Sequence, residues 1–157
     1  MNLELQWERP IQLKDASKED LIYRVDDFDK LPLAAGIYVF GRRWGANFEA
    51  LYVGKARSIR GRVNDHFNNL RLMQHLRNAK TGERVLLAGR LMTKPGQQLD
   101  RCLQVAERAL IRHFLSEGHD LVNIQGAQLR RHEVASSGRH PKRFFPSTIY
   151  LERGKGE

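Results

Sequence analysis

A chain of 157 residues with 41% apolar side chains holds one domain with a core of ordinary size. Its single cysteine, Cys102, excludes an intramolecular disulfide and any zinc site built on cysteines. No stretch approaches the roughly 18 apolar residues of a membrane span, and Met1-Asn2-Leu3-Glu4 is no secretory leader, so a cytoplasmic protein free of the membrane is expected.

The net charge is +9, and it is unevenly spread: residues 1–50 carry 7 basic and 9 acidic side chains, residues 51–157 carry 20 and 9. An excess of that size attracts polyanions, of which nucleic acid is the commonest large one, or it serves solubility alone.

Leu3, Leu5 and Trp7 alternate with polar residues and predict a short strand ended by Pro10. Ser17-Lys18-Glu19-Asp20 predicts a helical turn capped by the serine oxygen. Gly36-Ile37-Tyr38-Val39-Phe40 and Leu51-Tyr52-Val53 predict two strands joined as a hairpin, with Gly41 to Ala50 as its loop. Ser58 predicts the cap of a helix whose apolar face is Ile59, Val63, Phe67 and Leu70, with His66 in that face and Arg62 at its rim. A third strand is expected over Val85 to Met92, after Thr81-Gly82. The longest helix is expected from about Gln98 to Ser116, ended by Gly118. Beyond it, a turn is expected at Asn123-Ile124-Gln125-Gly126 and a terminal strand at Thr148 to Leu151.

Glu107 lies between Leu103 and Ile111, about 40° around the helix from Leu103. A carboxylate in an apolar stripe has to be paired, protonated or bound to a cation. An arginine from a neighbouring element would answer that need. So would Mg²⁺, which keeps most of its waters and takes only one or two protein carboxylates. Arg62 and His66, one turn apart, can share a phosphate. Tyr38 and Tyr52 are core aromatics, or one of them is a phenol whose pKa a nearby cation such as Lys55 lowers so that it accepts a proton from water.

At these residues the chain resembles the GIY-YIG endonuclease family, whose two tripeptides stand here as Gly36-Ile37-Tyr38 and Tyr52-Val53-Gly54. Tyr52-Val53-Gly54-Lys55-Ala56, followed by Ser58-Ile59-Arg60-Gly61-Arg62-Val63, is similar to the nuclease module of bacterial excision-repair incision subunits. By that match Arg62 is the family's arginine, and His66 falls where homing and restriction members have histidine. Glu107 falls at the metal-binding glutamate and Asn123 at an asparagine soon after that helix. The resemblance spans residues 36–126. It implies an α/β (α+β) module with a three-stranded antiparallel sheet flanked by helices, residues 1–35 being an N-terminal extension and 127–157 a basic C-terminal one.

The resemblance also implies a nuclease using Mg²⁺ or Mn²⁺, held by Glu107. Arg62 would steady the phosphate and one of the two tyrosines would handle the water, with the choice between them open. Lys55, Asn123, and Arg42 and Arg43 in the enlarged hairpin loop are candidate substrate contacts, as are Arg130 and Arg131 in a basic arm. The expected activity is therefore divalent-metal-dependent hydrolysis of DNA, in preference to RNA. The alternative is a nucleic-acid-binding module that keeps the fold without turnover.

Overall fold

Pro10 separates two short strands, Glu4–Trp7 (β1) and Ile11–Gln12 (β2), and both join the main sheet. The computed structural model describes residues 1–122, 130–139, 143–144 and 146–153. β1 forms where the alternation predicts it, and the chain re-enters the ladder after the proline because proline has no amide hydrogen to donate. Lys14–Asp15 (β3) and Tyr23–Arg24 (β4) make a small ladder of their own. The turn at Ser17–Glu19 between them is a 3₁₀ turn without the expected serine cap. Asp15 closes it instead, its Oδ1 accepting from the Ser17 amide at 2.9 Å and the Ser17 hydroxyl at 2.6 Å.

The hairpin is longer than expected. Gly36–Trp44 (β5) and Asn47–Ala56 (β6) stay paired through the polar stretch assigned to a loop, and only Gly45-Ala46 is left to turn the chain. Cross-strand ion pairs explain this. Arg42 faces Glu49 in the ladder and donates to it at 2.9 Å, while Arg43 faces Glu83 on the neighbouring strand and meets it at 3.0 Å. Polar residues here mark paired strands.

Glu83–Met92 (β7) completes an antiparallel sheet ordered β1-β7-β5-β6, with β2 also on β7. The class is α+β as expected, but the sheet has five strands where three were expected. β5, β6 and β7 are its centre. Left as an edge, β7 would offer a row of unpaired amides and carbonyls, and the N-terminal strands take them up.

Ser58 caps Ile59–His66 (α1), its side chain accepting from the Gly61 amide at 3.4 Å. This helix ends sooner than its apolar pattern predicts. Leu70, expected on its buried face, is 62% exposed and begins an unforeseen helix, Leu70–Asn78 (α2), capped by Asn69. Arg84 secures the end of α2 by donating to the carbonyls of Leu76, Ala79 and Gly82. Leu99–Ser116 (α3) runs as predicted, and Gly118 beyond it takes φ 85°.

The helices divide between the faces of the sheet. Tyr38, Phe40 and Leu86 pack with Ile59, Val63, Met73 and Leu76, so α1 and α2 cover one face. Ile37, Val39 and Val53 pack with Cys102, Leu103, Ala106 and Ile111, so α3 covers the other. Arg130–Ala135 (β8) and Thr148–Arg153 (β9) form a separate two-stranded ribbon, with β9 against α3. The terminal strand is where it was expected, but its partner was not foreseen. The turn predicted at 123–126 lies outside the described residues. Among the described residues no helix is long and apolar enough to cross a membrane.

Candidate active site

The two tripeptides are cross-strand neighbours. Tyr38 stands opposite Gly54 and Phe40 opposite Tyr52, so alternation directs both tyrosines to the face covered by α1. Their rings lie 6.2 Å apart between centroids, close to parallel. Gly36 allows a close approach: a Cβ there would lie 2.0 Å from the carbonyl oxygen of Gly89 on β7. Gly54 does the same on its strand, where a Cβ would lie 2.3 Å from Tyr38 Cζ.

Tyr38 is the hub of the site. Its hydroxyl lies 2.5 Å from Nε2 of His66 in α1 and is hydrogen-bonded also to Tyr52 and Arg62. Tyr38 is 1% exposed and His66 6%. Burial lowers the imidazole to about 4, with the Arg62 charge adding to the effect. His66 is therefore neutral near pH 7, and the short contact is a phenol O–H donating to an unprotonated Nε2. Burial also raises the phenols of both Tyr38 and Tyr52. This reverses the expectation of a phenol made acidic by a neighbouring cation: the low-polarity setting outweighs the Arg62 guanidinium, which pulls in the other direction.

The partner effects separate the two tyrosines. The hydrogen bond between them favours ionisation of Tyr52 and opposes that of Tyr38. Tyr52 is also the less buried, and its hydroxyl senses both Arg62, which lowers its pKa, and Glu107, which raises it. Arg62 is exposed, and the Glu107 side chain is 23% exposed. The guanidinium and the carboxylate come from helices on opposite faces of the sheet, and the charges of both are felt at Tyr52 on the edge strand β6.

Glu107 finds its counter-charge on β6. Lys55 Nζ lies 3.4 Å from its Oε1, so the partner is a lysine and not the arginine weighed above. Beside this pair is a surface cleft of about 390 Å³ lined by Lys55, Ala56, Arg57, Asp100, Leu103 and Gln104, with Arg57 bonded to Asp100 across it.

Arg42 and Arg43 are engaged elsewhere in the fold. Arg42 is 8% exposed, bound to Glu49 and to the Thr81 carbonyl at 2.8 Å, and stacked 3.9 Å from the Trp44 ring. Two of its donors are used inside the fold and the side chain is buried, so it is withdrawn as a substrate contact. Arg43 is half-exposed and paired with Glu83. Arg130 and Arg131 begin β8, and Asn123 lies outside the described residues. Nothing in the spacing announces that Tyr38 and His66 meet; the one available signal is a histidine on an apolar helical face.

Among the described residues no three of His, Cys, Asp and Glu come together as a metal cage. A single, partly exposed carboxylate does not suit zinc, which wants three or four N, S or O ligands. It does suit a hydrated Mg²⁺ or Mn²⁺ that fills its shell from water and phosphate. Compared with known proteins, the chain matches no family model, and no curated protein or solved structure matches it significantly.

Proposed function

We propose that the chain is an endonuclease of the GIY-YIG type, hydrolysing DNA phosphodiester bonds with a divalent cation. The observation that supports this reading is the meeting of the candidates on the edge strand β6: Tyr52 stacks on Tyr38, which is bonded to His66 on the helix of Arg62, and Lys55 of the same strand pairs with Glu107 of α3. A structural role needs no such meeting, since Glu107 is already balanced by Lys55.

In this reading Arg62 binds the non-bridging phosphate oxygens and is in place before charge builds on them. Glu107 would hold Mg²⁺ or Mn²⁺, which supplies charge neutralisation at the departing oxygen. Tyr52 orients the attacking water. Its proton-accepting capacity is limited in the free protein. Passing the Tyr52 proton through Tyr38 to His66 runs uphill, because burial raises the phenol and lowers the imidazole to about 4. Tyr52 therefore acts as a positioning hydroxyl for the attacking water.

The test is to incubate the protein with supercoiled, linear, branched and single-stranded DNA, with Mg²⁺ and then with chelator. Metal-dependent cutting of any of them supports the reading. Binding without cutting in all of them supports a second reading, a nucleic-acid-binding module without turnover. One observation leans that way: both phenols are held above their ordinary range.

A further inference from the structure

We propose that the cleft beside the Lys55–Glu107 pair seats a second backbone phosphate of the DNA strand, bound by Arg57 and Lys55, and that Asp100 fills this seat in the free protein; this rests on the reading that the chain acts on DNA. Two acids on one helix meet two cations at the end of one strand. Glu107 lies two turns beyond Asp100 on α3, about 10 Å along one side of the helix. Lys55, next to last in β6, pairs with Glu107 at 3.4 Å. Arg57, just past the strand, takes Asp100 in a two-pronged contact, its Nε donating to Oδ1 at 2.8 Å and a terminal nitrogen donating to Oδ2.

The Asp100 carboxylate marks where an anion is held. It fills the fork of Arg57 as a phosphate would, with two oxygens on two donors. Those hydrogen bonds, together with the charges of Arg57 and Lys55, keep its carboxyl below the ordinary carboxylate range. As a tie between β6 and α3 the contact does little, because the Arg57 and Asp100 side chains are 72% and 66% exposed and an ion pair so open to water contributes little stability.

The cleft's lining selects a nucleic-acid phosphate over a free ion. Among Lys55, Arg57 and Asp100, its volume of about 390 Å³ is closed below by the buried side chains of Ala56 and Leu103. A free phosphate ion would meet the cations and leave this apolar floor bare. A phosphate in a DNA strand carries a sugar whose carbons lie over Ala56 and Leu103 while its oxygens replace those of Asp100. Because the seat is on the side of α3 that carries Glu107, the strand reaches it while its scissile phosphate is at Arg62.

The experiment measures binding of a fluorescent DNA duplex by anisotropy in EDTA, with the full chain and over a series of salt concentrations. Arg57→Ala should weaken binding and lower the log–log salt slope by about 1. Asp100→Asn removes the competing anion and should tighten binding about fourfold. In the Arg57→Ala background the same substitution should gain less than about twofold, because the donor for which Asp100 competes is gone. Asp27→Asn removes another exposed acid, one paired with Lys30, and should change affinity by less than about twofold. All three positions are exposed, and thermal melting checks that the fold is retained. Equal gains from Asp100→Asn in both backgrounds, an equal gain from Asp27→Asn, or an unchanged slope in Arg57→Ala overturns the proposal. So does inorganic phosphate that displaces the duplex better than chloride at equal ionic strength and loses that advantage in Arg57→Ala, which would make the seat one for the free ion. Cutting assays separate this from the nuclease reading: binding that changes as described in a protein that never cuts leaves the seat assigned and the nuclease refuted, and cutting of subsaturating DNA at the parent's rate by Arg57→Ala does the reverse.

Discussion

The Tyr38 ring lies across the bare backbone of Gly54, where a Cβ would stand 2.3 Å from Cζ and 2.4 Å from the hydroxyl oxygen. Glycine at this position is therefore a condition for the hydroxyl to reach His66. Gly54→Ala is expected to destabilise the fold by about 2–3 kcal/mol, because Tyr38 is fully buried and cannot yield cheaply. Urea unfolding of Gly54→Ala, Tyr38→Leu and the double variant checks this. The double variant should lose less than the sum of the two single losses. Strict additivity would show that the ring and the glycine do not constrain each other.

His66 makes stability depend on pH. Its value in the fold, about 4, lies below the 6.5 of an unperturbed histidine. Between those values the unfolded chain takes up a proton that the folded chain refuses. The contribution is fully present above pH 6.5, falls as the pH drops, and is gone below about 4; its ceiling is on the order of 3 kcal/mol. His119 is lowered in the same direction, so the difference between proteins carries the test. On going from pH 7.5 to 4.5, the parent should lose more unfolding free energy than His66→Gln. Parallel losses would remove His66 from this account.

How much of this was legible from residues alone follows from the range of the interactions. β5, β7, α1 and α3 show in local patterning because each has one apolar face and clear end signals. The two outer strands of the sheet depend on what β7 needs, and the length of the hairpin depends on Arg42 meeting Glu49 and Arg43 meeting Glu83. Such pairings have no local signature. Within the candidate site, spacing placed Arg62 and His66 on one helix. It could not show that Glu107 comes from the other face of the sheet, that Lys55 is its partner, or that burial raises both phenols.

Arg42 offers a direct check of one such correction. Its truncation leaves Glu49 and the Thr81 carbonyl without their donor, so Arg42→Ala should cost about 2 kcal/mol. Arg43→Ala breaks a half-exposed pair and should cost under about 1 kcal/mol. DNA affinity of the folded Arg42 variant, measured by anisotropy, should stay within about twofold of the parent. A large drop in affinity with an unchanged melting temperature would return Arg42 to the substrate interface.

The charged groups around Tyr52 should respond in a pattern that packing alone does not produce. Glu107→Gln keeps nearly the same shape and loses only a partly exposed pair with Lys55, so stability should change by less than about 1 kcal/mol. Single-turnover cutting with Mn²⁺ should nevertheless fall by about a hundredfold or more. Arg62→Lys retains charge without the planar fork and should lose a similar factor, because a point charge cannot hold two phosphate oxygens at once. Lys55→Met removes the cation that competes for the Glu107 carboxylate, so Mn²⁺ binding, followed by water-proton relaxation, should tighten even as turnover drops. A Lys55 variant with weaker Mn²⁺ binding would mean that the lysine supports the ion's place on Glu107 and does not occupy it, and an unaffected rate in Glu107→Gln would remove the carboxylate from the reaction altogether.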